Sequence, residues 1–176
     1  MPLKFLKLQI KPKDGILENI SYLPQVFKLA QEYKSRLFDD YFEAAAAGSL
    51  TDALISLIEQ CSPYFWVIVG SGGEMIGFVY LDEWLGSYYN RHCASVTTCI
   101  DRQYWGKYTR FAGKRFVKYV FKRYKLKKLK AEIYSTNKSA VTLLKRLGFS
   151  HECTLKSETV VRGKPIDIEV YSIIKA

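Results

Sequence analysis

The chain predicts a mixed α/β layer fold, with a central, mostly antiparallel, twisted sheet of about six to seven strands flanked by helices. Three observations carry that expectation. Short β-branched or aromatic runs recur from one end to the other. Two clear helical patterns fall between the later runs, and a helical block separates the first run from the rest. At 176 residues the chain reads as a single domain, 1–176, with enough length to bury a core.

Residues 3–10 (LKFLKLQI) alternate and predict the first strand. Pro12-Lys13-Asp14-Gly15 predicts a turn. Residues 16–60 read as helical, with Pro24 starting or breaking a segment and Gly48 dividing two of them. Ser49 or Thr51 is the expected cap of the second helix, whose stripe is Leu50, Leu54, Leu57 and Ile58. Residues 65–69 (FWVIV) form a buried strand, which Ser71-Gly72-Gly73-Glu74 turns back into 75–81 as a hairpin. Further strands follow at 93–100 and 129–134, with helices at about 107–124 and 138–147, the second stopped by Gly148. Strands near 151–161 and 166–174, joined by Arg162-Gly163-Lys164-Pro165, end the chain. No repeat, low-complexity tract or interdomain linker interrupts this order.

An apolar fraction of 48% argues against disorder. No apolar run reaches membrane-spanning length, and the leading MPLKFLKLQIKPK lacks the apolar centre of a signal peptide, so a cytoplasmic enzyme or binding protein is expected. Cys61, Cys93, Cys99 and Cys153 form no CxxC, and only His92 and His151 accompany them, so no metal site is expected and the thiols read as reduced.

Charge is distributed unevenly. Residues 102–130 hold twelve Lys or Arg and no acid, while the remainder holds fifteen basic and seventeen acidic residues, so the net charge of +10 comes from one stretch. It opens on Trp105-Gly106-Lys107 and runs into an amphipathic helix. A glycine turn feeding a basic helix N-terminus is an anion site, because free N–H groups and the helix dipole point at the same place. A phosphorylated cofactor, a nucleic acid, or both would suit it. Lys114, Lys118 and Lys122 repeat at four-residue spacing and are either a solvated face or a surface for nucleic acid or a ribosome.

The order strand, glycine turn, long helix, short strand, Asn, short helix, Gly-Phe resembles the GNAT superfamily of acyl-coenzyme A-dependent N-acyltransferases. The spacing from Gly106 to Asn137 and on to Phe149, in NKSAVTLLKRLGF, carries the likeness, which covers roughly residues 75–174. The tail SHECTLKSETVVRGKPIDIEVYSI is similar to the branch that acetylates ribosomal-protein N-termini. The resemblance implies acetyl-coenzyme A as cofactor, its pantetheine arm lying where two strands splay and held by backbone at Cys99 and Ile100. Its pyrophosphate would sit on the N–H groups of Gly106, Lys107, Tyr108, Thr109 and Arg110, with Asn137 binding pantetheine or fixing the strand–helix junction. The usual loop carries further glycines where Tyr108 and Arg110 stand. Either the diphosphate binds in a shifted pose or the donor is not acetyl-coenzyme A.

For proton transfer, the family's frequent Tyr seven residues after the Asn is here Leu144, and a frequent Ser three residues after it is Ala140. Ser139, Tyr134 or Tyr108 remain as substitutes, and Glu132 stands where some members carry a base, although pairing with Lys130 is the plainer reading. The loop holding Asp82, Glu83, Trp84 and Tyr88 is the expected acceptor contact, through carboxylates for a cationic amine or stacking for a base. Three functions are consistent with these residues. The first is acetyl transfer to a primary amine of a protein or small molecule. The second is modification of a nucleic-acid base or aminoacyl-tRNA, and the third is non-catalytic binding of nucleic acid.

Overall fold

The strand β2 (Phe65–Val69) is buried at all five positions, and a strand with that pattern must be covered on both faces. The computed structural model of the protein describes residues 2–11, 17–45, 48–87 and 89–175. In it, Trp66 and Ile68 point into one core, while Phe65, Val67 and Val69 point into another on the opposite face. The seven-stranded sheet adds β1 (Lys4–Lys7), β3 (Met75–Leu85), β4 (Cys93–Ile100), β5 (Lys128–Tyr134), β6 (Ser150–Val161) and β7 (Lys164–Ile174). Their spatial order is β1-β2-β3-β4-β5-β7-β6. Every neighbouring pair is antiparallel except β4 with β5.

The first strand is shorter than its alternation predicts and gives way to an isolated bridge between Gln9 and Glu18. The expected turn at Pro12–Gly15 lies outside the described residues. The expected helical block breaks into a 3-10 turn at Ile20–Tyr22 and four helices: α1 (Leu23–Glu32), α2 (Lys34–Leu37), α3 (Asp40–Ala45) and α4 (Leu50–Cys61). Pro24 lies in the first turn of α1, where its missing N–H removes no helical bond. Ser49 rather than Thr51 caps α4, its hydroxyl oxygen accepting the Asp52 N–H at 3.1 Å.

The parallel pair needs a crossover, and α5 (Lys107–Tyr124) supplies it. Ala112, Phe116, Val120 and Phe121 are its buried stripe, and Lys114, Lys118 and Lys122 face solvent. The helix α6 (Lys138–Leu147) follows β5 and stops at Gly148, whose N–H reaches back to the carbonyls of Leu144 and Lys145. The last hairpin turns on two residues, Arg162 and Gly163, both with positive φ, so Lys164 and Pro165 belong to β7 rather than to the expected four-residue turn. Among the described residues no helix is long and apolar enough to cross a membrane.

Candidate active site

The strands β4 and β5 pair only from Cys93–Lys128 to Ser95–Lys130. Beyond Ser95 they part, while β4 stays registered on β3 up to Ile100–Gly77 and β5 stays registered on β7 up to Tyr134–Ile168. Each strand is held on its outer side only, so the inner backbone edges face a wedge-shaped gap and need partners from elsewhere. An inner cavity of about 300 Å³ fills the gap beneath α5 and α6, lined by Val96, Thr98, Ala131, Glu132, Tyr134 and Leu144 among others. An outer cavity of about 490 Å³ reaches the N-termini of α5 and α6 and is lined by Gly106, Thr109, Arg110, Lys138 and Ser139 among others. The two share Thr98, Ile100, Thr109 and Asn137 among others.

Local bonds fix the loop before α5. The Asp101 carboxylate caps the 3-10 turn at Arg102–Tyr104 by accepting the Gln103 N–H at 3.0 Å. The Trp105 indole N–H donates to the Ile100 carbonyl at 2.8 Å, which ties the strand end to the turn and occupies one of the backbone groups expected to hold pantetheine. Gly106 then takes φ 89, a conformation that side chains disfavour, and α5 begins. Five N–H groups were expected to face an anion here. That of Arg110 is already spent on the Gly106 carbonyl at 3.1 Å, so only its guanidinium serves the outer cavity. Those of Lys107, Tyr108 and Thr109 belong to the first turn, where a helix leaves donors unused. The Tyr108 ring packs edge-on against Tyr104 at 5.6 Å and lines neither cavity. Asn137 caps α6, its Oδ1 accepting the Ala140 N–H at 3.2 Å, and also lines both cavities.

Charge near the gap is strongly paired. The Lys130 ammonium sits 2.8 Å from Glu132 and 3.1 Å from Glu83. Burial pulls Lys130 down, but the two carboxylates outweigh it and hold the ammonium above the ordinary lysine range. The Ser95 hydroxyl, donating to Glu83 at 2.7 Å, holds that carboxylate low, with Lys130 helping. Glu132 is therefore an ion-paired carboxylate, as its neighbour in sequence suggested. Asp82 differs: burial, with Glu83 adding, pushes it up to about 6, and its Oδ1 is buried without a hydrogen-bond partner. The Tyr134 phenol is pushed above the ordinary tyrosine range by burial, with Asp39, Asp40 and Glu43 adding, so it holds its proton throughout the neutral range.

A parting parallel pair beside a glycine-started basic helix is the geometry that the resemblance implied. The family model for an acetyltransferase (GNAT) domain matches residues 19–150. The chain belongs to the GNAT acetyltransferase family. It is 27% identical over 115 residues to an uncharacterized N-acetyltransferase, p20, of Bacillus licheniformis, a match covering 63% of this chain and 61% of that relative. Its fold is similar to spermidine N-acetyltransferase of Vibrio cholerae, solved with CoA and spermine, at TM-score 0.75 and 22% identity over 98% of this chain and 95% of that one. A GNAT-family acetyltransferase of Bacillus anthracis superposes at TM-score 0.66 and 16% identity, over 98% and 94% of the respective chains.

Within this GNAT fold the sequence-expected residues divide. Cofactor candidates Ile100, Gly106, Thr109, Arg110 and Asn137 line the cavities together, with Cys99 and Ser139 in the outer one. Glu132 and Tyr134 line the inner one, and Lys107 lines neither. The acceptor candidates Asp82, Glu83 and Trp84 line neither cavity. The Trp84 ring instead packs tilted against Tyr64 at 4.5 Å, under the guanidinium of Arg91, while Tyr88 lies outside the described residues. Sequence reasoning missed the wall contributed by α1 and α2. Tyr33 accepts the Arg102 N–H at 3.1 Å, and Arg36 lies over the Trp105 ring at 5.6 Å and lines both cavities with Leu37. A one-turn helix carries no periodicity to reveal such residues.

Proposed function

We propose that this protein is an N-acyltransferase that moves an acetyl group directly from acetyl-coenzyme A to a primary amine. The observation that carries the reading is the gap between β4 and β5, open to the N-terminus of α5. Acetyl-coenzyme A supplies the activated acyl carbon. The unpaired edge of β4 would align the pantetheine arm, and the first-turn N–H groups of Lys107, Tyr108 and Thr109, with the Arg110 guanidinium, would hold the pyrophosphate. Transfer forms a C–N bond and breaks the C–S bond. Most of the rate then comes from alignment and from backbone N–H groups facing the developing oxyanion. Tyr134 is the residue we assign to protonate the leaving thiolate, since it lines the inner cavity and keeps its proton. Glu132 is held in an ion pair by Lys130, and the attacking amine would lose its proton to water.

The acceptor is read as a small-molecule amine, the class on which the Vibrio cholerae relative acts. An exposed guanidinium, Arg36, in the lining of both cavities would repel a polycation, so an acceptor with one amine, or one bearing a carboxylate, fits better. A protein N-terminus and aminoacyl-tRNA remain acceptors to be assayed. A second reading rests on Lys114, Lys118 and Lys122, which are exposed and make no ion pair among the described residues. It gives this face affinity for nucleic acid, lost on charge reversal and steeply dependent on salt.

The test is calorimetric titration of ligand-free protein with acetyl-coenzyme A, followed by thiol release across a panel of amines. Micromolar binding and amine-dependent release are expected. Absence of binding would overturn the acyltransferase reading, and salt-dependent nucleic-acid binding without turnover would favour the second one.

A further inference from the structure

Arg36 is exposed, and among the described residues its guanidinium makes no ion pair and no side-chain hydrogen bond. It is nevertheless held in place. Its Cζ lies 5.6 Å from the centroid of the Trp105 ring. That ring is itself fixed, because the indole N–H donates to the Ile100 carbonyl at 2.8 Å and Tyr33 packs tilted against it at 6.2 Å. Tyr33 also accepts the Arg102 N–H, which ties the α1–α2 junction to the loop that carries Trp105. A tryptophan that served packing alone would be covered, as Trp66 is at 1% exposure; Trp105 stays 40% exposed and lines the outer cavity. A long side chain on a one-turn helix has little else to order it. Contact through an aromatic face leaves the in-plane N–H donors of a guanidinium unspent, and two of them match the two oxygens of a carboxylate. The opposite sign stands on the same wall. Asp39 and Asp40 lie where α2 gives way to α3, and with Glu43 they are close enough to Tyr134 to raise its phenol. The hydrogen bonds of Asp39 and Asp40 come from neutral donors, so neither charge is cancelled.

Resting on the acetyltransferase reading above, we propose that the acceptor is a small amino-carboxylate, its carboxylate received by Arg36 and its amine directed toward Tyr134, and that Trp105 is the positioning residue that holds Arg36 in place for it. Arg36 lines both cavities, so it reaches the space where donor and acceptor meet. A receptor already ordered by the indole spends little on ordering when the ligand arrives. A molecule with one ammonium and one carboxylate answers both signs of the wall, whereas a polycation answers only one. The transfer balances as before. The ammonium gives one proton to water, the amine attacks, the C–N bond forms and the C–S bond breaks, and the second amine proton passes through Tyr134 to the thiolate.

The experiment measures thiol release from acetyl-coenzyme A by the full chain with α-, β- and γ-amino acids and with the matching amino-acid amides, so that each pair is one amine with and without the carboxylate. The acid is expected to exceed its amide by about 10–100-fold in kcat/KM, the value of a charge-assisted hydrogen bond. Arg36→Gln should abolish that preference through KM, while acetyl-coenzyme A affinity, measured by calorimetry, is retained. Trp105→Phe keeps an aromatic face and should keep most of the preference; Trp105→Leu should reduce it about 3–10-fold. Equal rates with acid and amide, no turnover with either while acetyl-coenzyme A binds, or a preference that survives Arg36→Gln would each overturn the acceptor assignment. Loss of acetyl-coenzyme A affinity in Arg36→Gln would overturn it too, by giving the guanidinium to a phosphate of the donor. An unchanged preference in Trp105→Leu would remove Trp105 from the device. Failure of acetyl-coenzyme A to bind the wild-type protein would instead overturn the reading on which the proposal rests.

Discussion

Gly77 sits on β3 opposite Ile100, the last residue of β4, and the two backbones meet more closely than a side chain permits. A Cβ at Gly77 would lie 2.2 Å from the Cys99 carbonyl oxygen and 2.9 Å from the Ile100 Cα, against a floor of 3.0 Å for real contacts. Gly77→Ala must therefore push the end of β4 outward by about 0.8 Å, and it moves backbone, which cannot swing away as a side chain would. Overpacking of that order costs about 1–3 kcal/mol, or roughly 3–10 °C in Tm for a chain this long. The displaced residues, Cys99 and Ile100, form the edge assigned to the pantetheine arm, and a misplacement near 1 Å can cost about a hundredfold in rate. Thermal unfolding gives the first quantity; coenzyme A affinity and kcat/KM with any competent amine give the second. A variant with unchanged Tm would refute the packing argument. One with lowered Tm but wild-type affinity and kcat/KM, measured where it is folded, would remove the end of β4 from the site.

Other expectations concern single groups. Tyr134→Phe should lower kcat by about 10²–10⁴-fold with little change in KM if the phenol protonates the thiolate, and steady-state kinetics decide it. Asn137→Ala removes the α6 cap and should cost about 1 kcal/mol while weakening coenzyme A binding; Asn137→Asp, which keeps an acceptor for the Ala140 N–H, should restore the stability. Tyr108→Gly should destabilise the protein without tightening coenzyme A, because the ring packs on Tyr104 rather than over the loop, and calorimetry with thermal unfolding tests both halves. Asp82, raised from 3.8 to about 6, prefers its neutral form in the folded state. The fold thus loses stability as pH rises through that interval and stays penalised above it, by about 1–2 kcal/mol after solvent screening. Asp82→Asn should gain Tm over wild type at pH 8, and that gain should vanish near pH 4.

The later half of the chain was legible because its signals are local. The spans of α5 and α6 follow from the glycine before the first and the glycine after the second and from an apolar stripe, and β4 follows from an uninterrupted run between turns. Cofactor candidates clustered around Gly106 and Asn137 for the same reason: helix starts mark themselves in sequence. Residues 16–60 resisted because α2 and α3 are too short to show a period, and tertiary contacts set their breaks. Arg36 could not be foreseen as a wall of the cleft, since only folding brings it to Trp105. Composition marked the acceptor loop because carboxylates and aromatics suit a cationic ligand; in the structure Glu83 pairs with Lys130 and the Trp84 ring packs on Tyr64, partnerships that composition does not reveal. Side chains that satisfy one another inside the protein look in sequence like side chains awaiting a ligand.

The residues that follow the α2 part of the cleft wall are tied to the β6–β7 hairpin. The Asp39 carboxylate accepts the Thr159 hydroxyl, and the Asp40 carboxylate accepts the N–H groups of Arg162 and Gly163 at 2.9 Å. The last strand, β7, also lies inside the sheet, between β5 and β6. During synthesis, then, the early helices emerge with their anchors still unmade, and β5 waits with an open edge for β7. A nascent chain halted before residue 159 would hold the glycine loop and both its helices, yet have neither the complete sheet nor the anchors at Asp39 and Asp40. Competence to bind should therefore arise abruptly once β7 has emerged rather than grow with length.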